Sequence, residues 1–298
     1  MDKFYHELRR LLPEADIRWE EPMKKHTTFR IGGPARIFAA PRSEEELKAA
    51  AEQCRRRGTA WYVIGNGSNL LVNDQGYEGV ILSTERLDNM EVLGEEIKAA
   101  AGVRLSRLAK AAAEESLAGL EFAAGIPGTL GGAVVMNAGA YGSEMKEVLT
   151  WVRVLDRSGC IKRLDVEELE LGYRKSCVER NGYVVLEAGL KLSKGDRSGI
   201  LDRMEELAGK RREKQPLEYP SAGSTFKRPK GYYAARLIDE AGLRGCRVGD
   251  AQVSEKHCGF VVNLGNATAA DVLALCEKVR RQVAETFGVD MELEIKKL

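Results

Sequence analysis

The side chains able to do chemistry fall in a few short clusters. Residues 119–142, GLEFAAGIPGTLGGAVVMNAGAYG, hold glycines 119, 125, 128, 131, 132, 139 and 142 and a single charge, Glu121. Glycine in every turn makes a plain helix costly. Leu120, Phe122, Ile126, Leu130, Val134, Val135 and Met136 call for burial, so a flexible linker does not fit either. Two readings remain. One is a tightly packed structural turn. The other is backbone lying close to a flat or anionic ligand, with N–H groups lining a phosphate or a ring edge. A second cluster, Gly65-Asn66-Gly67-Ser68-Asn69, directly follows the apolar run at 61–64. A glycine turn at a strand's end suits a pyrophosphate, and an ordinary loop equally well. It lacks the third glycine of the dinucleotide fingerprint and the Gly-Lys-Ser/Thr of a P-loop.

Two further clusters carry charge or hydroxyls. Gly172-Tyr173-Arg174-Lys175-Ser176-Cys177 is short and basic, and Arg174 reads either as a surface charge or as a placed cation. Tyr219–Pro229, YPSAGSTFKRP, sets hydroxyls ahead of Lys227 and Arg228. That pattern suits an anion nest or a plain turn. No histidine neighbours Ser224, which argues against a hydrolase triad. The six cysteines (54, 160, 177, 246, 258 and 276) show no CxxC spacing. They read as reduced thiols, with no disulfide framework and no metal site.

The elements that must position these clusters follow from periodicity. Residues 4–12 form an amphipathic helix ended near Pro13. Gly32-Gly33-Pro34 turns the chain into a strand at 36–40. Ser43 and Glu46 read as a capping box for a helix ending at Gly58. A buried strand at 61–64 completes a β-α-β unit. Strands are expected at 79–82 and 97–101, a helix at 104–116, a hairpin at 150–164 across Arg157-Ser158-Gly159, and a strand at 183–192. A charged helix then runs to Lys214, and its basic end is explained by the helix dipole alone. Beyond it come a helix at 232–240, a strand at 259–263, a helix capped by Thr268 and ended by Gly288, and a closing strand at 291–296. Glu292 and Glu294 share one side of that strand, where glutamates are ordinarily solvated.

Charge is balanced, with 46 Lys+Arg against 45 Asp+Glu. This argues against general adhesion to nucleic acid or membrane and leaves anion recognition to local clusters. The N-terminus has no signal-peptide core and no apolar run approaches ~20 residues, so a cytoplasmic protein without a membrane span is expected.

The clusters, taken in order, resemble a known family. HTTFRIGGPA, VIGNGSNLLV, AGIPGTLGGAVVMNAGAYG, GYRKSC, AGSTFKRP and the terminal LEIK span nearly the whole chain. Together they look like the UDP-N-acetylenolpyruvoylglucosamine reductases, flavoenzymes of bacterial peptidoglycan synthesis. The first three segments also resemble the wider vanillyl-alcohol-oxidase-like FAD fold. The short passage between GYRKSC and AGSTFKRP resembles the branch that lacks an inserted substrate-covering tyrosine loop.

The resemblance implies an α+β chain. Residues 1–20 would be a helical arm. Residues 21–195 would form an FAD-binding domain with lobes at roughly 21–90 and 91–195, and 196–298 a substrate domain. It implies non-covalent FAD held by Gly65, Asn66, Gly67, Ser68 and Asn69 and by Gly125, Ile126, Pro127, Gly128, Thr129, Gly132, Ala133, Asn137, Gly139 and Ala140. It implies NADPH as reductant and UDP-N-acetylglucosamine-enolpyruvate as substrate, met by Tyr173, Lys214, Lys227 and Arg228; some relatives carry Asn at the last position. Hydride would pass through FAD to C3 of the enolpyruvyl ether. Arg174 and Glu294 would steady the enolate at C2, and Ser224 would protonate it. No nucleic-acid partner is expected, and the oligomeric state expected is a monomer. An FAD oxidase of the same fold and a non-catalytic flavin- or nucleotide-sugar-binding module are the competing readings. Arg174, Ser224 and Glu294 occurring together argues against the module.

Overall fold

In the computed structural model, which describes residues 3–298, the apolar side chains gather in three cores. Two belong to a first unit that takes in the described residues up to 19 with 37–66 and 79–211, and the third to a second unit made of 20–36, 67–78 and 212–298.

The first unit begins with the helix Lys3–Leu11, which buries Phe4, Tyr5 and Leu8. The helix Glu44–Arg56 starts where Ser43 accepts a hydrogen bond from the Glu46 amide. The expected capping box is half made. The Glu46 carboxylate accepts from the amides of Arg42 and Glu14 (2.8 and 3.1 Å), which ties the helix start to the preceding loop. A four-stranded sheet runs Asp16–Pro22, Pro34–Ala40, Tyr77–Ser83, Trp61–Ile64. The expected β-α-β unit is therefore opened by a later strand, which takes the place between its two. Trp61–Ile64 lies at the sheet edge with Tyr62 exposed, so it is not the buried strand its apolar residues suggest. It pairs in parallel with Tyr77–Ser83, Trp61 opposite Val80.

The second core of this unit lies against a five-stranded antiparallel sheet in the order Ile161–Asp165, Leu149–Leu155, Val184–Lys191, Glu96–Ala100, Met90–Leu93. The expected hairpin is present, Val152 opposite Leu164. Asp156 closes its turn by accepting from Ser158 and Cys160. The Ala-rich helix Leu105–Glu114 buries Leu105, Leu108, Ala109, Ala112 and Ala113 and feeds the glycine stretch. That stretch is part loop and part helix: Leu130–Met136 is helical despite Gly131 and Gly132. A Cβ on Gly131 would stand 2.9 Å from the Ala101 Cβ, so close packing on a strand end outweighs helix propensity there.

In the second unit, an antiparallel sheet runs Ser221–Ser224, Phe260–Asn263, Ala251–Val253, Arg247–Val248. Its core takes Val272, Leu275, Cys276, Val279 and Val283 from one stripe of the helix Ala269–Phe287. Thr268 and Asp271 form a reciprocal capping box at the start of that helix, and Gly288 (φ +66°) ends it. The closing strand expected at 291–296 is broken up. Phe226 pairs with Leu293, and only Lys296–Lys297 forms a regular strand, in parallel with Leu70–Leu71. Glu292 and Glu294 also part company: Glu292 is exposed and Glu294 is 8% exposed.

Candidate active site

Within the first unit the glycine loop and the 61–64 strand end meet. Asn66 Nδ2 donates to the Pro127 carbonyl at 2.7 Å. A Cβ on Gly65 would lie 2.1 Å from Thr129 Oγ1, so only glycine fits that position. Thr129 is buried, and its hydroxyl has no hydrogen-bond partner among the described residues. A buried hydroxyl without a partner costs about 1–3 kcal/mol, so it is ordinarily satisfied by something the chain does not itself supply. Gly132 is exposed, and the nearest atom to a Cβ there would again be Thr129 Oγ1, at 3.7 Å. Bare backbone at Gly65 and Gly132 around an unsatisfied hydroxyl fits a polar edge of a flat cofactor. Leu130 and Gly131 donate to the carbonyls of Val103 and Ala101 (both 2.8 Å), so those helix-start amides are spent inside the fold. Ala133 packs into the core. Gly128 closes a tight turn with its amide on the Ile126 carbonyl at 2.8 Å.

Asn137 links this loop to the basic cluster. It is buried, with φ +40°, and its side chain donates to Glu144 (2.9 Å) and the Gly172 carbonyl (3.2 Å) and accepts from the Lys146 amide (3.0 Å). Gly172 and Lys175 bridge to make a narrow turn, pinned by Ser176 Oγ donating to Val135 O at 2.8 Å. Arg174 at its tip has φ +53°, a conformation costly for a branched-free side chain with Cβ and kept only where neighbours enforce it. Its guanidinium donates to the Gly139 carbonyl (3.3 Å) and lies over the exposed Tyr173 ring at 5.2 Å. Gly139 and Ala140 form a short antiparallel pair with Ser143 and Glu144. These contacts hold the Arg174 head over the Gly139 loop.

In the second unit, Gly67 (φ +59°) leaves no room for a side chain, since a Cβ would fall 2.0 Å from the His26 carbonyl oxygen. Ser68 is half-buried. Asn69 donates from its side-chain amide to the Glu294 carbonyl at 3.1 Å. Ser224 pairs with Phe260. The next residues run antiparallel to the C-terminal segment, with Glu294 N on Thr225 O and Lys227 N on Glu292 O, both at 2.8 Å. Ser224 is therefore one residue from the position opposite Glu294. Lys227 forms an ion pair with Glu292 at 2.8 Å, which holds that carboxyl below its ordinary range. Arg228 lies 3.9 Å over the Tyr233 ring and donates to Tyr232 O at 3.3 Å. Lys214 ends the helix Arg197–Lys214 and is exposed.

One residue was passed over in the sequence. Arg211, which reads there as a helix-end charge, packs its δ-carbon against Gly125; a Cβ on that glycine would come within 3.2 Å. Burial lowers its basicity, with the Tyr141 phenol opposing. No local pattern marks it in the sequence, where it is one of four basic residues at a helix end. Burial also pushes the Cys54 and Cys276 thiols up to about 12, which suits packing rather than nucleophilic chemistry. A cleft of about 300 Å³ lined by Phe122, Tyr141, Lys191, Arg203 and Leu207 contains none of the candidate residues.

Comparison with known proteins joins these observations. Residues 35–165 match the family model described as FAD binding domain. Residues 215–298 match the one described as UDP-N-acetylenolpyruvoylglucosamine reductase, C-terminal domain. A protein of that name from Lachnoclostridium phytofermentans is 51% identical over 297 residues, covering 97% of this chain and 95% of its own. Another from Clostridium tetani is 50% identical, covering 95% and 92%. The crystal structure of UDP-N-acetylenolpyruvylglucosamine reductase from Thermus caldophilus superposes with a TM-score of 0.81 at 39% identity, covering 95% of this chain and 98% of that one. The fold, with its glycine-lined cradle, is that of an FAD-dependent oxidoreductase. The chain belongs to the UDP-N-acetylenolpyruvoylglucosamine reductase family.

Proposed function

We propose that the protein reduces the enolpyruvyl ether of UDP-N-acetylglucosamine-enolpyruvate to the lactyl ether of UDP-N-acetylmuramate, with NADPH as reductant, acting as a cytoplasmic monomer. The observation that supports this reading beyond family membership is the pairing of 225–227, directly after Ser224, with 292–294. It brings a hydroxyl donor and a buried carboxyl into one small framework. When bound, non-covalent FAD supplies two-electron carriage from NADPH to C3 of the ether.

The chain's own residues do the rest. Gly65, Gly132 and Thr129 receive the cofactor's polar edge, and Asn66 fixes the Pro127 loop beside it. Arg174 offers two parallel donors to the substrate carboxylate, where charge accumulates as C3 is reduced. Ser224 gives its hydroxyl proton to C2, and Glu294 lies on the enolate side of the same framework. Tyr173, Lys214, Lys227 and Arg228 contact the nucleotide sugar. Glu292 holds Lys227 until an anion competes for it.

The test is anaerobic and uses the holoenzyme. NADPH should bleach the flavin, and the enolpyruvyl sugar alone should restore its colour rapidly. Acid precipitation should leave the flavin in the supernatant. Reoxidation by oxygen as fast as by the sugar would point to an oxidase, and flavin retained in the pellet would overturn the non-covalent assignment.

A further inference from the structure

Asn69 sits in the GNGSN segment, yet its side chain is engaged with the far end of the chain. Leu70–Leu71 and Lys296–Lys297 pair in parallel, with Lys296 N on Asn69 O (2.8 Å) and Leu298 N on Leu71 O (3.0 Å). Parallel ladders place successive bonds at even, slanted intervals. The next rung toward the start of the ladder would join residue 69 to the carbonyl of residue 294. The Asn69 side-chain amide also donates to that carbonyl, Nδ2 to Glu294 O at 3.1 Å. Asn69 thus grips the C-terminal segment at two points, two residues apart. On the opposite side the same residue, Glu294, is held by its amide on Thr225 O at 2.8 Å, next to Ser224.

We infer that Asn69 is a positioning residue for Glu294: its side-chain amide fixes the backbone that carries the buried carboxyl, in register with the Ser224 strand. This rests on the proposed role of Glu294 at the substrate enolate. The chemistry is specific. A neighbour of the same shape with no donor, Asn69→Asp, sets a carboxylate oxygen against a carbonyl oxygen, and the 294 backbone moves. The segment is held on its other edge by Phe226 opposite Leu293 and by Lys227 N on Glu292 O, so the Asn69 amide completes a clamp on both sides of 294. The glycines of the same motif act by bare backbone, and Asn69 acts through a side chain directed at the catalytic segment.

The experiment uses holoenzyme whose flavin is reduced by light, which removes NADPH from the question. Reoxidation by the enolpyruvyl sugar is then followed in wild type, Asn69→Asp, Asn69→Ala, Glu294→Gln and the Asn69→Ala/Glu294→Gln double variant. Both Asn69 variants should keep their flavin and reoxidise about tenfold more slowly, the size expected for one lost hydrogen bond. In the double variant the Asn69 change should cost little beyond Glu294→Gln, because it acts through that carboxyl. Flavin lost from both Asn69 variants would make Asn69 a cofactor ligand and overturn the inference. So would wild-type rates in both, or costs that multiply independently in the double variant. Wild-type reoxidation in Glu294→Gln would instead remove Glu294 from the reaction and take the inference with it, a result distinct from the other three.

Discussion

Thr129 carries the most exposed claim at the level of single residues. Its buried hydroxyl has no partner among the described residues, so Thr129→Val should leave the flavin-free protein as stable as wild type or more so by about 1 kcal/mol. The same change should weaken flavin binding, read by titrating the flavin-free protein with FAD. Gly65→Ala should weaken it further, because the added methyl falls 2.1 Å from Thr129 Oγ1. Flavin affinity unchanged in both would mean the cradle receives something else. Arg174→Lys should lower turnover about 10²-fold or more while the protein stays folded and yellow, since a point charge cannot reproduce paired donors. Ser224→Ala should leave flavin reduction by NADPH near wild type and slow flavin reoxidation by substrate ~10²–10⁴-fold. Stopped-flow absorbance separates the two halves. Equal slowing of both would make the serine a cofactor-placing residue.

Local chemistry decided the elements wherever a cap or an amphipathic stripe was written in contiguous residues. Thr268 caps its helix as the sequence predicts, Asp271 returning the bond to complete a box, and Gly288 ends the helix in the left-handed region. Asp74 adds what no local pattern shows, its two carboxylate oxygens accepting from Ala269 and Ala270 at 2.7 and 3.0 Å. Thr268→Ala should therefore cost about 1 kcal/mol, read as a lower Tm. A loss near zero would mean Asp74 alone suffices to cap the helix. At Ser43 the pattern is legible only in part, because Glu46 finds better donors in Arg42 and Glu14 than in its own cap residue. The helix at Leu130–Met136 was hidden by its glycines. They are explained by the Ala101 strand end pressed against Gly131 and by the open face at Gly132.

For the molecule as a whole, stability should depend on pH through His257. Its Nδ1 accepts from the Gly259 amide at 3.1 Å, and its ring meets Phe260 edge-on at 5.0 Å. Burial, with the Arg244 charge adding to it and a backbone hydrogen bond opposing, depresses its pKa below the ordinary histidine value of about 6.5. The unfolded chain then binds more protons than the folded one below that pH. Stability should be full above about 6.5 and fall as the pH drops through the window below it. Carboxylates with lowered values, such as Glu292, act only below 4.5, so the interval between belongs to the histidine. His257→Asn, which keeps an acceptor for Gly259, should flatten the Tm curve there. An unchanged slope would assign the effect elsewhere.

Contiguous residues fixed where glycine frees the backbone and which helices are capped, while the flavin and enolate roles came only as what the family resemblance implies. Glycine turns and caps depend on neighbours within a few positions, so a linear reading captures them. It could not decide which side chains are spent within the fold. Asn137 and Lys227 look available in the chain, and each is engaged by a partner that folding supplies. Glu294 looks like a solvated strand glutamate, and pairing with 225–227 on one side and Asn69 on the other buries it. The second unit gathers 20–36, 67–78 and 212–298 because β-ladders join residues by hydrogen bonds that carry no sequence signature of their partner. The candidate side chains are written in the chain; the partners that hold them were decided only by long-range pairing.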